Sequence, residues 1–173
     1  MRFTGLVLAT SVVVLGACGG GDKAASDNNA APAGAPAAAP AAGGAPTSTA
    51  TPAPITGKTY EVKMVLDEKS YHFDPANLTI KVGDGIKFVN VSGSPHNVAF
   101  NTVPDASKAQ LDANMPSQTA NGPSPKLGEL SGPLMITPND NYTVSFAGVK
   151  PGVYGFNCTP HLALNMKGEV TVQ

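Results

Sequence analysis

An all-β domain, an antiparallel sandwich or barrel, is the fold class this sequence predicts, and three observations predict it. Apolar residues recur with period two in at least five short runs between Tyr60 and Val172. Gly, Pro, Asn and Asp punctuate those runs, as they do where short strands turn back on one another. The stretch carrying the pattern, from Gly57 onward, is about 117 residues, the size of one domain.

Two segments precede that domain. Residues 1–18 read as an export signal: Arg2 leads into an apolar stretch from Leu6 to Leu15, broken only by Ala9-Thr10-Ser11. That stretch is too short to span a bilayer. It ends in Leu15-Gly16-Ala17-Cys18, which resembles the lipobox of bacterial lipoproteins, where the cysteine is lipidated and becomes the first residue. The resemblance implies an exported protein, lipid-anchored at Cys18 to a bacterial membrane and facing the periplasm or the cell exterior. Residues 19–56 hold 14 Ala, 6 Pro and 6 Gly among 38. Such a composition cannot bury enough apolar surface to offset its ordering entropy, so a disordered tether is expected. As a random coil it would reach about 35 Å, and drawn out by its prolines roughly 120 Å.

Within 57–173 the strands follow in order. Tyr60, Val62 and Met64 alternate with Thr59, Glu61 and Lys63. Leu78, Ile80 and Val82 alternate before the turn Gly83-Asp84-Gly85, and Ile86 and Phe88 resume after it. Tyr142, Val144 and Phe146 form the next run, then Val153-Tyr154-Gly155-Phe156, then Val170 and Val172. Residues 101–139 lack the rhythm. Asp105 to Ala113 suits one or two helical turns, and Pro116, Gly122-Pro123-Ser124-Pro125 and Gly132-Pro133 predict an irregular excursion over the surface.

Charge excludes some functions. The stretch from Gly57 carries 9 Lys against 10 Asp plus Glu, which gives neither a nucleic-acid footprint nor a polybasic membrane patch. The two cysteines could pair in an oxidising compartment. With Cys18 lipidated, Cys158 is a lone thiol outside the cytosol and needs a reason to be there.

The chemistry lies in Cys158-Thr-Pro-His161-Leu-Ala-Leu-Asn-Met166, which sets a thiol, an imidazole and a thioether within nine residues. Two His and one Cys with a weak axial Met make a blue-copper electron-transfer site. The second imidazole has a candidate in His96, at the end of the run from Ile86 to Val91. Zinc would accept two His and one Cys but has little use for a thioether and does not change oxidation state. His72 reads as a strand or turn histidine, and Met64, Met115 and Met135 as packing residues.

The C-terminal run Gly152-x-Tyr154-x-Phe156, Cys158-x-Pro160-His161, Met166 and Gly168-x-Val170-x-Val172 resembles the end of plastocyanins. Phe73-Asp-Pro-Ala-Asn-Leu-Thr-Ile-Lys-Val-Gly-Asp and Pro95-His-Asn-Val-Ala-Phe resemble that family's other half, and pseudoazurins share the loop spacing. The resemblance implies a Greek-key, cupredoxin-like sandwich holding one copper. His96, Cys158 and His161 would form the trigonal plane, with Met166 a long axial ligand. Asn97 would donate its backbone N–H to the sulfur while its side chain ties the two ligand loops. Pro160, lacking an N–H, offers the sulfur none. His161 would surface inside an apolar ring of Pro95, Pro160, Leu162, Ala163 and Leu164, where a redox partner could dock.

Three departures from the plastocyanin pattern stand out. Asn157 replaces the tyrosine that plant-type members carry before the cysteine. Leu162 and Leu164 make the loop more apolar, and the stretch between His96 and Cys158 is longer. The function implied is a one-electron carrier, monomeric and not an enzyme, between membrane-associated donor and acceptor proteins. Copper storage or delivery is the alternative. A copper enzyme would need further histidines, and only His72 is left over.

Overall fold

Phe156 shows how the sequence pattern becomes a core. Its buried ring meets Phe73 at 4.8 Å, Phe88 at 5.7 Å and Phe100 at 5.7 Å between centroids, all tilted or edge-on. Such pairs add about 0.5–1.5 kcal/mol each beyond area burial. These four rings come from the two sheets of a β-sandwich and meet between them. The structure, a computed structural model, describes residues 50–68 and 70–173. The expected signal at 1–18 with Cys18, and 19–49 of the expected tether, lie outside the described residues.

One sheet has the order β2 (Tyr71–Asp74), β1 (Thr59–Leu66), β4 (Gly85–Asn90) and β8 (Asn141–Ser145). The other runs β3 (Asn77–Ile80), β10 (Lys167–Val172), β9 (Gly152–Asn157) and β5 (Ala99–Thr102). Alternation places Val62, Met64, Ile86, Phe88 and Val144 of the first sheet against Ile80, Tyr154, Val170 and Val172 of the second. The pairing is antiparallel except for β1 with β4 and β3 with β10, which are parallel. The chain crosses from β2 to the other sheet at β3 and returns at β4, which leaves β4 running alongside β1 in the same direction.

The excursion does not simply lie over the surface. It contains α1 (Lys108–Asn114) and a short hairpin of β6 (Gln118–Thr119) with β7 (Gly122–Pro123). Leu111, Met115 and Met135 are buried in the core. Residues 130–135 pair with 96–100: His96 N donates to Met135 O at 2.8 Å, Met135 N to His96 O at 2.7 Å, and Phe100 N to Leu130 O at 2.9 Å. This covers the free edge of β5, where unpaired backbone groups would otherwise be exposed. Gly132-Pro133 interrupts the apolar alternation, so the pairing leaves no period-two signal. Residues 51–56 also touch the domain, with Ala53 N donating to Asn114 Oδ1 at 2.8 Å and Thr56 N to Gly83 O at 2.9 Å.

Candidate metal centre

Two loops at one end of the sandwich bring the chemistry together. The first follows β4 and turns around the Asn90 side chain. Asn90 Oδ1 accepts from Gly93 N at 3.1 Å and Ser92 Oγ at 3.2 Å, and its Nδ2 donates to Ser94 O at 2.8 Å. Gly93 sits at φ 78°, in the left-handed region that glycine enters without penalty. This turn delivers His96 into the interior, fully buried.

The His96 ring is held by both nitrogens. Its Nε2 lies 2.6 Å from Ser92 Oγ, and its Nδ1 lies 3.4 Å from Cys158 Sγ. Because the Ser92 hydroxyl donates to Asn90, its lone pair is left to accept from His96 Nε2–H. The Nδ1 lone pair is thereby turned toward the sulfur, the tautomer a metal ligand needs.

The second loop leaves β9 at Cys158, runs through a 3₁₀ turn over Thr159–Leu164, and closes at Met166. Cys158 N donates to Met166 O at 3.0 Å, and Met166 N to His161 O at 3.3 Å. Asn165 makes the reversal in the left-handed region, at φ 61°. His161 Nδ1 comes to 3.3 Å from Cys158 Sγ. The donor atoms of His96, Cys158 and His161 all lie within 4.8 Å of one another.

Asn97 joins the loops. Its Oδ1 accepts from Thr159 N at 2.8 Å, and its Nδ2 donates to Thr159 Oγ1 at 3.1 Å and to Ser131 Oγ at 3.0 Å. Burial raises the Cys158 thiol above its usual range, opposed by hydrogen bonds from the backbone amides of Asn97 and His161. Burial, followed by the nearby His161, lowers His96 to about 4, and burial lowers His161 as well. Both imidazoles are therefore neutral near pH 7 and available to a cation, whose charge would offset the cost of the buried thiolate.

The structure thus gathers three of the residues singled out in the sequence around one point. Met166 is buried beside them, at the end of the same loop. Pro160 lies exposed in the 3₁₀ turn, and the amides that reach the sulfur come from Asn97 and His161. Pro95, Leu162, Ala163 and Leu164 are exposed, with Leu162 at 56% and Leu164 at 57%, and His161 is partly exposed. His72 sits in β2, 3.9 Å from Asp67 and apart from the cluster. Sequence reasoning missed Ser92, Ser131 and Tyr71. Only Ser92, four residues before His96 in a polar turn, left a local signal.

Comparisons with known proteins identify the family. Residues 60–173 match the model of the copper-binding proteins of the plastocyanin/azurin family. The chain belongs to that family. It is 34% identical to a plastocyanin of Synechococcus sp. (strain JA-2-3B'a(2-13)), over 69% of this chain and 76% of that one. It is 32% identical to a plastocyanin of Prochlorothrix hollandica, over 70% and 78% respectively. Among solved structures, the oxidised plastocyanin of Dryopteris crassirhizoma aligns over 65% of this chain and 99% of its own, at 26% identity and a TM-score of 0.42.

Copper is the cofactor this family implies, and the residues present fit it. A buried thiol that is free of any disulfide among the described residues, flanked by two neutral imidazoles, is a soft to borderline donor set. Membership implies copper-based electron transfer.

Proposed function

We propose that this plastocyanin-like, cupredoxin-fold protein is a one-electron carrier built on a mononuclear type 1 copper site. His96, Cys158 and His161 would hold the metal, and Met166, buried at the end of the same loop, would add a weaker thioether donor. The observation that carries the reading is the convergence of three donors, two of them fully buried and the third partly open to solvent. Copper supplies the Cu(II)/Cu(I) couple when bound. The chain's own residues keep the donors in one arrangement: Ser92 fixes the His96 tautomer, Asn97 ties the two loops, and the buried setting excludes water. Rigid ligands reorganise little between oxidation states, which favours fast transfer over exchange of the metal. That supports a carrier over a storage or delivery role.

The exposed edge of His161, framed by Pro95, Pro160, Leu162, Ala163 and Leu164, serves as the docking surface for a transient donor and acceptor. The chain acts as a monomer, exported and anchored through lipid at Cys18, and its Ala- and Pro-rich tether lets the domain reach membrane-associated partners. Copper titration of the full chain tests the site: one equivalent should give an intense thiolate-to-copper band, and binding without that band overturns the reading. Cys18→Ser should free the protein from membranes with the same spectrum. Continued pelleting with membranes in high salt would remove the anchor.

A further inference from the structure

The two imidazoles of the cluster are secured very differently. His96 has hydrogen-bond partners on both nitrogens. Among the described residues, the ring of His161 has one, Cys158 Sγ. A ring held at a single atom and open to solvent on one side can rotate about its own side-chain bonds. Something else must fix its plane.

Tyr71, the first residue of β2, lies face to face with it. The ring centroids are 3.9 Å apart and the planes differ by 18°. The same phenol ring meets His96 edge-on, at 5.6 Å and 65°. Its hydroxyl lies 2.9 Å from Ser94 Oγ, in the loop that holds His96. On the other side, Tyr71 is paired in register with Leu66 at the end of β1, so its backbone belongs to the rigid sheet. Tyr71 is therefore anchored by the strand and by Ser94, and it presents a flat face to the imidazole of the cluster that, among the described residues, has a single hydrogen bond.

We propose that Tyr71 is a positioning residue for the metal centre: its ring clamps His161 in the ligating orientation, and its hydroxyl couples that clamp to the His96 loop. The clamp presets the imidazole before metal arrives, so less ordering entropy is lost on binding. A stacked pair of this kind is strong enough to change metal affinity by about tenfold. The inference rests on His161 being a metal ligand.

The test compares Tyr71→Phe, which keeps the stack and loses the hydroxyl, with Tyr71→Leu, which loses both, in the full chain. In the metal-free protein, NMR should find the carbon-bound ring protons of His161 displaced upfield by the phenol face. The displacement should persist in Tyr71→Phe and vanish in Tyr71→Leu. Copper affinity, measured by competition with a chelator, should fall about tenfold in Tyr71→Leu and stay within about threefold of wild type in Tyr71→Phe. Unperturbed His161 resonances in the unsubstituted protein overturn the clamp, whether or not Tyr71→Leu folds. So does wild-type affinity in a folded Tyr71→Leu variant. The NMR experiment contains no copper, so it detects the stack, or its absence, even if the copper-site reading fails.

Discussion

The loop that delivers His96 and the loop that runs from Cys158 to Met166 face one another across a few ångströms, yet they are built on opposite principles. The first is a polar turn closed by side chains: Asn90, Ser92 and Ser94 satisfy one another, and the backbone of Met135 seals it from behind. The second is held by its own backbone, with apolar side chains turned outward at Leu162 and Leu164. On the proposed carrier reading both kinds serve: one donor is held fast, and the other lies near enough to solvent for an electron to enter through it.

The sharpest way to break that comparison is to delete each imidazole in turn. His161→Gly should leave a hole open to solvent, which added imidazole can enter and fill. His96→Gly should leave a sealed one, because His96 itself has no exposed surface. The visible spectrum of the copper-loaded full chain is the measurement. Imidazole should restore the wild-type band in the first variant and leave the second unchanged. Equal rescue of both would mean the two loops do not differ in access.

Acid should strain the two loops unequally. The folded chain holds His96 near 4, below the 6.5 of an unperturbed imidazole, because burial disfavours its charged form. Between those values the unfolded chain binds the extra proton. Stability of the metal-free protein is therefore complete above about pH 6.5, falls as pH drops toward 4, and levels off below that. The gap corresponds to about 3 kcal/mol for His96. The less buried His161 acts in the same direction. Asp84 acts lower still: its carboxylate accepts from Lys58 N at 2.7 Å and Lys81 N at 2.8 Å, and these bonds hold its pKa below 3.8. Its contribution is lost only as pH falls through that range. Urea midpoints across pH 4–8 would check the slope, and His96→Gln should flatten it.

What the sequence could and could not announce follows the same physical line. Strands β1, β8, β9 and β10 alternate in burial along five residues or more, so their period is visible without any partner, and β4, covered on both faces, still shows through Ile86 and Phe88 around Lys87. β3, with four residues, still showed through Leu78 and Ile80, whereas β6 and β7 have two each, too few for a period to register. The pairing of 130–135 with 96–100 exists only once the excursion has folded back. The donors were legible because Cys158 and His161 share one loop and His96 follows a strand. Tyr71 and Ser131 were not, because they reach the site from segments 25 and 35 residues away from His96. Their contacts depend on how the two sheets stack.

Asn97 is the point where the polar loop grips the other, so its removal should loosen both. Asn97→Ala deletes three side-chain hydrogen bonds and leaves the Thr159 amide without its partner. Much of each bond's value is recovered from water, and a cost of about 2 kcal/mol is expected from the unpaired groups. Chemical denaturation of the metal-free chain reads it. If the loops are coupled through this residue, Ser131→Ala should cost less in the Asn97→Ala background than alone.

The smallest expected effect on stability concerns Met166, where the two loops' shared environment could be packing alone. Replacement by Leu preserves volume and apolarity, so a pure core residue should lose less than about 1.5 kcal/mol and leave the metal unaffected. Replacement by Gln keeps the length but offers an amide oxygen. If Met166 donates to copper, both variants should still bind it, since two imidazoles and a thiolate provide most of the affinity. Their reduction potentials should separate. Leu withdraws a weak soft donor and favours Cu(I), which raises the potential. Gln adds a harder oxygen that favours Cu(II), which lowers it. Measured at one pH in the full chain, opposite shifts place the thioether on the metal. Two potentials indistinguishable from wild type would return Met166 to the core.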